Sequence, residues 1–277
     1  MAQMKETVLI TGNLGFVGHH LMKALEKDYY LRGYDLKDDY DVLDYHVLLQ
    51  KMTGVDYVVH LAAKVSVSES WQNPRLYYEN NVLGTSSVVE AAKKCGVKRI
   101  ISASSCAVYY PFSSPYAASK AMGELILETN KDFIPSVAFR FFNIYGSGQN
   151  PEYAAVIPEF IKGVKIGKIT IYGNGEQTRD FVHVRDICGA IKKALQMHKK
   201  LPRYVVCDVG SGKSISINNL AEIIRNISGK EINIEHAEPR KEIEFIESHP
   251  DILWDVIGYK CKTDIFDGIG ELMNNGF

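Results

Sequence analysis

The sequence predicts an α/β protein: a doubly wound parallel sheet with a smaller C-terminal α/β lobe. Three observations carry this. Apolar, β-branched runs alternate with helical periodicity through the first hundred residues, the signature of repeated βα units. The run Tyr57–Leu61 is too apolar to have a wet face, as in strands covered on both sides. A glycine-punctuated turn, Gly12, Gly15 and Gly18, joins the first strand to the first helix.

The elements follow in chain order. Thr7–Ile10 reads as a short strand and Phe16–Leu25 as a helix, with Phe16, Val17, His20, Leu21, Ala24 and Leu25 on one face. Glycines between a strand and a helix let backbone N–H groups approach a pyrophosphate, because no Cβ intervenes and the helix dipole favours the anion. Alone, the triplet also fits an ordinary tight βα turn. Tyr30–Tyr34 makes a second strand ending at Asp35. An acid in that place suits the two hydroxyls of an adenosine ribose and repels a 2′-phosphate, which favours NAD over NADP; Lys37 lies close enough to weaken the preference. Asp41–Asp44 starts the next crossover, and Ala62 and Ala63 follow the third strand as small residues against which a cofactor could lie. A helix over Asn80–Ala92, burying Val82, Val88 and Val89, leads to a strand at Lys98–Ser102. Right-handed crossovers are expected throughout.

From about Pro151 the pattern changes. Pro151 and Pro158 bracket a new helix; Ile169–Tyr172 reads as a strand, Gly173-Asn174-Gly175 as a turn, Tyr204–Val209 as a strand, Ser216–Ser228 as a helix, Glu231–Glu235 as a strand and Ile265–Met273 as a helix. The expected division is residues 1–150 for nucleotide binding and 151–277 for the smaller substrate lobe. The two interleave, because Phe181–Val184 and Tyr204–Val209 are apolar enough to extend the main sheet, placing parts of 178–210 with the first lobe.

With 277 residues and 46% hydrophobic content, the chain can bury a sizeable core. The 32 Lys and Arg balance 33 Asp and Glu, so small molecules, and not nucleic acid, are the expected partners. No apolar run suits a signal peptide or a membrane span. The five cysteines are scattered and contain no CxxC pair, which predicts reduced thiols in a cytoplasmic protein and no metal site.

The chemistry concentrates in Ile100–Glu124. Ser104 and Ser105 end an apolar strand, where open α/β sheets place their ligands. Pro115 suits a first helical turn capped by Ser113 or Ser114. Tyr116 and Lys120 then share a helix face. An ammonium beside a phenol lowers the phenol pKa, so that Tyr116 could exchange a proton with a substrate hydroxyl held by Ser105. A Tyr-x-x-x-Lys pair alone is more often a surface pair; its place after a serine-bearing strand end inside a nucleotide fold reverses that reading.

TGNLGFVG (Thr11–Gly18), HLAA (His60–Ala63), NNVLGT (Asn80–Thr85), SSCAVY (Ser104–Tyr109), PYAASK (Pro115–Lys120), RFFNIYG (Arg140–Gly146) and TRDFVHVRD (Thr178–Asp186) together resemble the extended short-chain dehydrogenase/reductases, and among them the NAD-dependent sugar-nucleotide epimerase/dehydratase family, close to the UDP-glucose 4-epimerases. The resemblance covers nearly the whole chain and implies a Rossmann fold. It implies that the turn Gly12, Asn13, Leu14, Gly15, Phe16, Val17 and Gly18 holds the NAD pyrophosphate, and that Asp35 and Leu36 lie at the ribose. It implies Asp41 and Val42 at adenine, with Leu61, Ala62, Ala63, Lys64, Asn80 and Phe142 lining the cofactor. Lys120 would also hold the nicotinamide ribose, and Asn143, Arg179 and Arg240 would reach the substrate diphosphate. For Arg179, an ion pair with Asp180 or Asp186 is the competing reading. Helices near Ser86–Lys94 and Ala117–Leu127, with Met122, Leu125 and Ile126, would form a homodimer.

The chain departs from the family pattern in two places. Tyr116 follows Ser105 after only eleven residues, a connection much shorter than the family's usual one and part of the usual sugar pocket; Tyr110 stands where the family prefers Gly. Family dehydratases carry an Asp-Glu pair after the serine, where this chain has Cys106 and Ala107, neither able to serve as a carboxylic acid or base. The resemblance therefore implies 4-epimerisation of a nucleotide-diphosphate hexose through a transient 4-keto sugar. A reductase, decarboxylase or dehydratase on the same fold is the alternative, and a non-catalytic NAD-binding relative a second one. Cys106 could also be an acid in a 3,5-epimerase and reductase, but its register differs by one residue and a small packed thiol is the simpler reading.

Overall fold

The computed structural model describes residues 5–149, 155–240 and 242–275. Pro151 and the expected boundary at 150/151 lie outside the described residues. By internal contacts the chain forms two units: 1–141 with 188–208 and 251–259, and 142–187 with 209–250 and 260–277.

The first unit opens with strand β1 (Thr7–Thr11), helix α1 (Phe16–Leu25), strand β2 (Tyr30–Tyr34), helix α2 (Tyr45–Met52) and strand β3 (Tyr57–His60). Two short helices, α3 (Val67–Gln72) and α4 (Pro74–Tyr77), precede a π-helical turn at Tyr78–Leu83, which runs into α5 (Gly84–Cys95). Strand β4 (Arg99–Ser105), a 3-10 turn at Cys106–Tyr109, helix α6 (Pro115–Thr129) and strand β5 (Ser136–Phe141) follow. In the second unit come β6 (Asn143–Tyr145), α7 (Val156–Ile166), β7 (Lys168–Tyr172) and β8 (Thr178–His183). Most of α8 (Val184–Gln196) and β9 (Tyr204–Val209) belong to the first unit, whereas β10 (Ser214–Ser216), α9 (Ile217–Ser228), β11 (Asn233–Ala237) and α10 (Ile265–Asn275) belong to the second.

The main sheet has the order β2-β1-β3-β4-β5-β9 and is parallel from β2 through β5. Strand order reverses between β1 and β3, so the carboxyl ends of those strands, Thr11 and His60, flank the crevice where such sheets bind ligands. β3 is buried along its whole length, as its apolar sequence requires. The core joins Leu9, Tyr34 and Val58 from the strands to Leu48, Val88, Val89 and Ala92 from α2 and α5. Each fully buried Leu or Ile contributes about 1.5–3 kcal/mol.

At the opposite end of β4, the buried Arg99 guanidinium is held by main chain: it donates to the carbonyls of Pro202 (2.9 Å), His198 (3.0 Å) and Leu201 (3.1 Å). Its neighbour Lys98 instead pairs with Glu6 and Asp56, each at 2.7 Å.

In the second unit β10-β8-β6 form one small sheet and β11-β7 another. Their core gathers Tyr145, Phe160, Ile169, Phe181, Leu220, Ile224 and Ile269. Tyr204–Val209 joins the main sheet as expected, whereas Phe181–Val184 does not. Those residues belong to β8 and the start of α8, and β8 pairs with β6 and antiparallel with β10. Phe181 packs into the second core, a choice that apolarity alone could not reveal. Pro158 lies inside α7 and does not bound it; it sits in the first turn, where its missing N–H costs nothing. The strand expected at Glu231–Glu235 is β11, shifted two residues onward and paired parallel with β7. No described helix is long and apolar enough to cross a membrane.

Candidate active site

The glycine turn is shaped by close approaches. Gly12 has φ +73°, and a Cβ there would stand 2.8 Å from the Ala62 nitrogen; one at Gly18 would stand 2.1 Å from the Gly12 carbonyl oxygen. Thus the turn closes against the end of β3 and α1 seats directly on the turn. No side chain caps α1 and no acid lies in its first turn, leaving N–H groups and dipole available to an anion. The Asp35 carboxylate, nearly buried at the end of β2, accepts from the Leu14 N–H (2.9 Å) and the Lys37 N–H (3.0 Å). Uncapped donors for a pyrophosphate and an acid one strand away for a ribose fit NAD.

Beyond that turn, Asp41 accepts from the Leu43 N–H (2.9 Å), and Val42 is buried close to Gly84. Leu61, Ala62, Ala63 and Lys64 continue from β3. The Lys64 N–H donates to Asn81 Oδ1 (2.8 Å), and Asn81 Nδ2 donates to the Lys64 carbonyl (3.0 Å) and to Ser119 Oγ (2.9 Å). Within this motif it is Asn81, and not the neighbouring Asn80, that ties the turn to Lys64 and Ser119. It does so from the π-helical turn, a wide turn of the kind found at functional sites, where a regular helix was expected.

His60 is pinned at both ring nitrogens: Nδ1 to Thr11 Oγ1 (2.8 Å) and Nε2 to Thr85 Oγ1 (3.1 Å). Thr85 donates its own proton to the Asn81 carbonyl (2.6 Å), so it must accept from His60, which places the imidazole proton on Nε2. Thr11 then donates to Nδ1 while accepting from the Ala62 N–H (3.2 Å). Burial, aided by the Lys120 charge, pushes the His60 pKa down to about 3 and keeps the ring neutral.

Ser105 and Tyr116 meet at the carboxyl end of β4, and Lys120, one turn after Tyr116 on α6, reaches the Ala103 carbonyl of the same strand. Ser114 caps α6 by accepting the Ala117 N–H (3.1 Å), with Pro115 in the first turn. Ser105 Oγ accepts from the Ala107 N–H (3.2 Å), leaving its proton for the phenolic oxygen of Tyr116, to which it is hydrogen-bonded. Lys120 Nζ donates to the Ala103 carbonyl (2.9 Å). The phenol differs from expectation. Burial raises Tyr116 to about 12, opposed by the Ser105 hydrogen bond, where a lysine-lowered value was expected. Lys120 is itself brought down to about 8 by burial, against the pull of Glu124. Desolvation of both groups is the dominant effect.

Under this trio runs a polar chain. Ser104 Oγ donates to Glu124 Oε1 (2.5 Å); Arg140 binds the same carboxylate in bidentate fashion, Nε at 2.9 Å and Nη2 at 2.7 Å. The Arg140 guanidinium stacks 4.8 Å from the Tyr109 ring centre, and the Tyr109 hydroxyl donates to Asp208 (2.8 Å).

The expected diphosphate ligands lie in the second unit, as does Phe142, which is buried and donates its N–H to the Val209 carbonyl (3.3 Å). Asn143 begins β6, opposite Phe181. Arg179, on β8, donates to the Thr178 carbonyl (2.8 Å) and pairs with Glu242. Arg240 is exposed and stacks 3.3 Å over the Tyr172 ring. Asp180 accepts from the Ser211 N–H (2.8 Å) and Gly212 N–H (3.0 Å), and Asp186 from the Lys262 (3.0 Å) and Thr263 (2.9 Å) N–H groups.

Residues 8–210 match the NAD dependent epimerase/dehydratase family. The chain belongs to this family. It is 31% identical to a putative UDP-glucose 4-epimerase of Methanocaldococcus jannaschii, over 96% of this chain and 97% of the relative. Among solved structures it resembles the UDP-N-acetylglucosamine 4-epimerase of Methanobrevibacter ruminantium M1 in complex with UDP-N-acetylmuramic acid, with TM-score 0.90, 32% identity and 98% of both chains covered. The Thermus thermophilus UDP-glucose 4-epimerase complex with NAD aligns with TM-score 0.85 and 25% identity, over 98% of this chain and all of that one (100%).

As a member of the epimerase/dehydratase family the chain is an NAD-dependent enzyme. Glu124 and Asn81 carry structure in its site that sequence reasoning passed over. A signal for Glu124 existed: it lies four residues after Lys120, on the Tyr116 face. Glu242 had none, since its partner Arg179 is 63 residues away.

Proposed function

We propose that this epimerase/dehydratase family member is a UDP-sugar 4-epimerase. The observation that carries the reading is Ser105 hydrogen-bonded to Tyr116 at the carboxyl end of β4, with Lys120 on the Ala103 carbonyl of that strand and Cys106 and Ala107 following Ser105 where a dehydratase needs carboxyl groups. The UDP-sugar 4-epimerases among the relatives support the same choice of sugar nucleotide.

The Ser105 hydroxyl orients the substrate's C4 hydroxyl toward Tyr116. Tyr116 takes that proton as the hydroxyl becomes a ketone, and returns it when the alcohol re-forms on the opposite face. Bound NAD supplies a hydride acceptor that becomes the donor for the return step, and its cationic ring favours the phenolate. Lys120 adds positive charge and holds the nicotinamide ribose. The desolvated phenol of Tyr116 is poised to act only once positive charge is assembled beside it. Gly12, Asn13, Leu14, Gly15, Phe16, Val17 and Gly18 hold the pyrophosphate, Asp35 and Leu36 the ribose and Asp41 and Val42 the adenine. Leu61, Ala62, Ala63, Lys64, Asn80 and Phe142 line the cofactor. Asn143, Arg179 and Arg240 take the substrate diphosphate, for which a guanidinium fork is apt.

A homodimer through α5 and α6 suits the exposed Met122 and Leu125, and cysteines outside any disulfide suit a cytoplasmic enzyme. Incubation with UDP-, GDP-, dTDP- and CDP-sugars, analysed for C4 epimers, tests the reading. A UDP-sugar is expected to epimerise without net redox; protein that holds NAD yet forms no epimer sinks it.

A further inference from the structure

Arg179 is nearly buried, its side chain 10% exposed, and its partner Glu242 is 37% exposed. Glu242 arrives on an extended segment laid beside the start of β8: the Thr178 N–H donates to the Glu244 carbonyl (2.8 Å) and the Ile246 N–H to the Thr178 carbonyl (3.2 Å). The second Glu242 oxygen accepts from Gln177 Nε2 (3.0 Å), which also donates to the Tyr172 carbonyl (3.0 Å). Arg240, two residues before Glu242, stacks on that same Tyr172. Both arginines assigned to the diphosphate thus belong to one cluster, with a carboxylate at its centre.

Resting on the assignment of Arg179 to the substrate diphosphate, we infer that Glu242 is an internal counter-ion that competes with the substrate for Arg179 and sets its affinity. A carboxylate and a phosphate oxygen seek the same guanidinium edge. The partners differ in freedom: Arg179 is tied to the Thr178 carbonyl on a paired strand, whereas Glu242 lies at the surface and can turn to water. The backbone bonds to Thr178 stay intact when only the side chain rotates. An incoming diphosphate therefore exchanges one anion for another at Arg179, so part of its attraction is spent displacing Glu242. The same exchange blunts the salt dependence of binding, since the guanidinium is never released to solvent ions.

Calorimetric titration of UDP into the NAD-loaded full chain tests this, with Glu242→Gln, Glu242→Ala and Arg179→Gln. Glu242→Gln keeps the Gln177 contact while removing the charge. Glu242 is open to water, which limits the strength of the pair, so UDP is expected to bind about three- to tenfold tighter to Glu242→Gln, with a steeper loss of affinity between low and high salt than in wild type. Glu242→Ala should tighten binding in the same direction, which guards against a folding defect in either variant. Unchanged or weaker UDP binding in both Glu242 variants, with binding still lost in Arg179→Gln, overturns the competition and leaves Arg179 as a diphosphate ligand. UDP binding that is absent from wild type, or undiminished in Arg179→Gln, overturns the assignment of Arg179 and the competition with it.

Discussion

Lys120 and Glu124, one helical turn apart on α6, face the same small cavity, the ammonium on the Ala103 carbonyl and the carboxylate across the Arg140 fork. Glu124 is the charge that opposes the burial-driven fall of the Lys120 pKa to about 8. Glu124→Gln removes that opposition, so the ammonium is lost at lower pH, and the alkaline limb of the kcat profile moves toward acid. A limb that stays in place separates Lys120 from Glu124. Glu124→Ala also strands the Arg140 guanidinium, and urea unfolding should show a loss of about 3 kcal/mol.

Tyr116→Phe removes the proton carrier while leaving the packing against the Tyr77 ring, 6.4 Å away between centroids. NAD should still bind, and kcat should fall by about two orders of magnitude or more. Near-normal turnover refutes Tyr116 as acid and base.

His60 has a folded pKa near 3 against about 6.5 unfolded. A depressed pKa gives stability that is present above the unfolded value and lost as pH falls through the window from 6.5 toward 3, at up to about 1.4 kcal/mol per pH unit. His60→Gln should be less stable at pH 7, yet its unfolding free energy should fall less steeply between pH 6 and pH 4. Equal slopes in denaturant titrations would count against the buried neutral ring.

Asp35→Ser removes the carboxylate that bonds the Leu14 and Lys37 N–H groups. Charge-assisted hydrogen bonds are worth about 1.5–3 kcal/mol, so the ratio of NADP to NAD dissociation constants should fall about tenfold or more. An unaltered ratio places the discrimination elsewhere.

The sequence announces what depends on neighbours along the chain. Strand β2 and helix α1 lie where periodicity places them, because Asp35, Gly12 and Gly15 punctuate them locally. The cap of α6, narrowed to Ser113 or Ser114, and the Tyr116/Lys120 face were legible for the same reason. What escaped depends on pairing across the fold. The bidentate Glu124–Arg140 contact needs α6 laid beside β5, and the assignment of Phe181–Val184 needs to know which core its apolar face meets. The π-helical turn escaped because Asn81 is drawn to the Lys64 backbone, an attachment with no local periodicity. The rise in the Tyr116 pKa escaped because sequence spacing shows a charged neighbour but not the exclusion of water.

Arg99 is a cation dissolved in peptide dipoles. Acid or salt that weakens the pairs of Lys98 with Glu6 and Asp56 finds no carboxylate to neutralise at the three carbonyls that hold Arg99. The three main-chain bonds from Arg99 to segment 198–202, which delivers β9 to the edge of the sheet, are therefore indifferent to both, unlike the bond between His198 and Tyr57 in the same segment. In acid-induced unfolding the Arg99 bonds should part late, after His198 and the surface charges around it have been titrated.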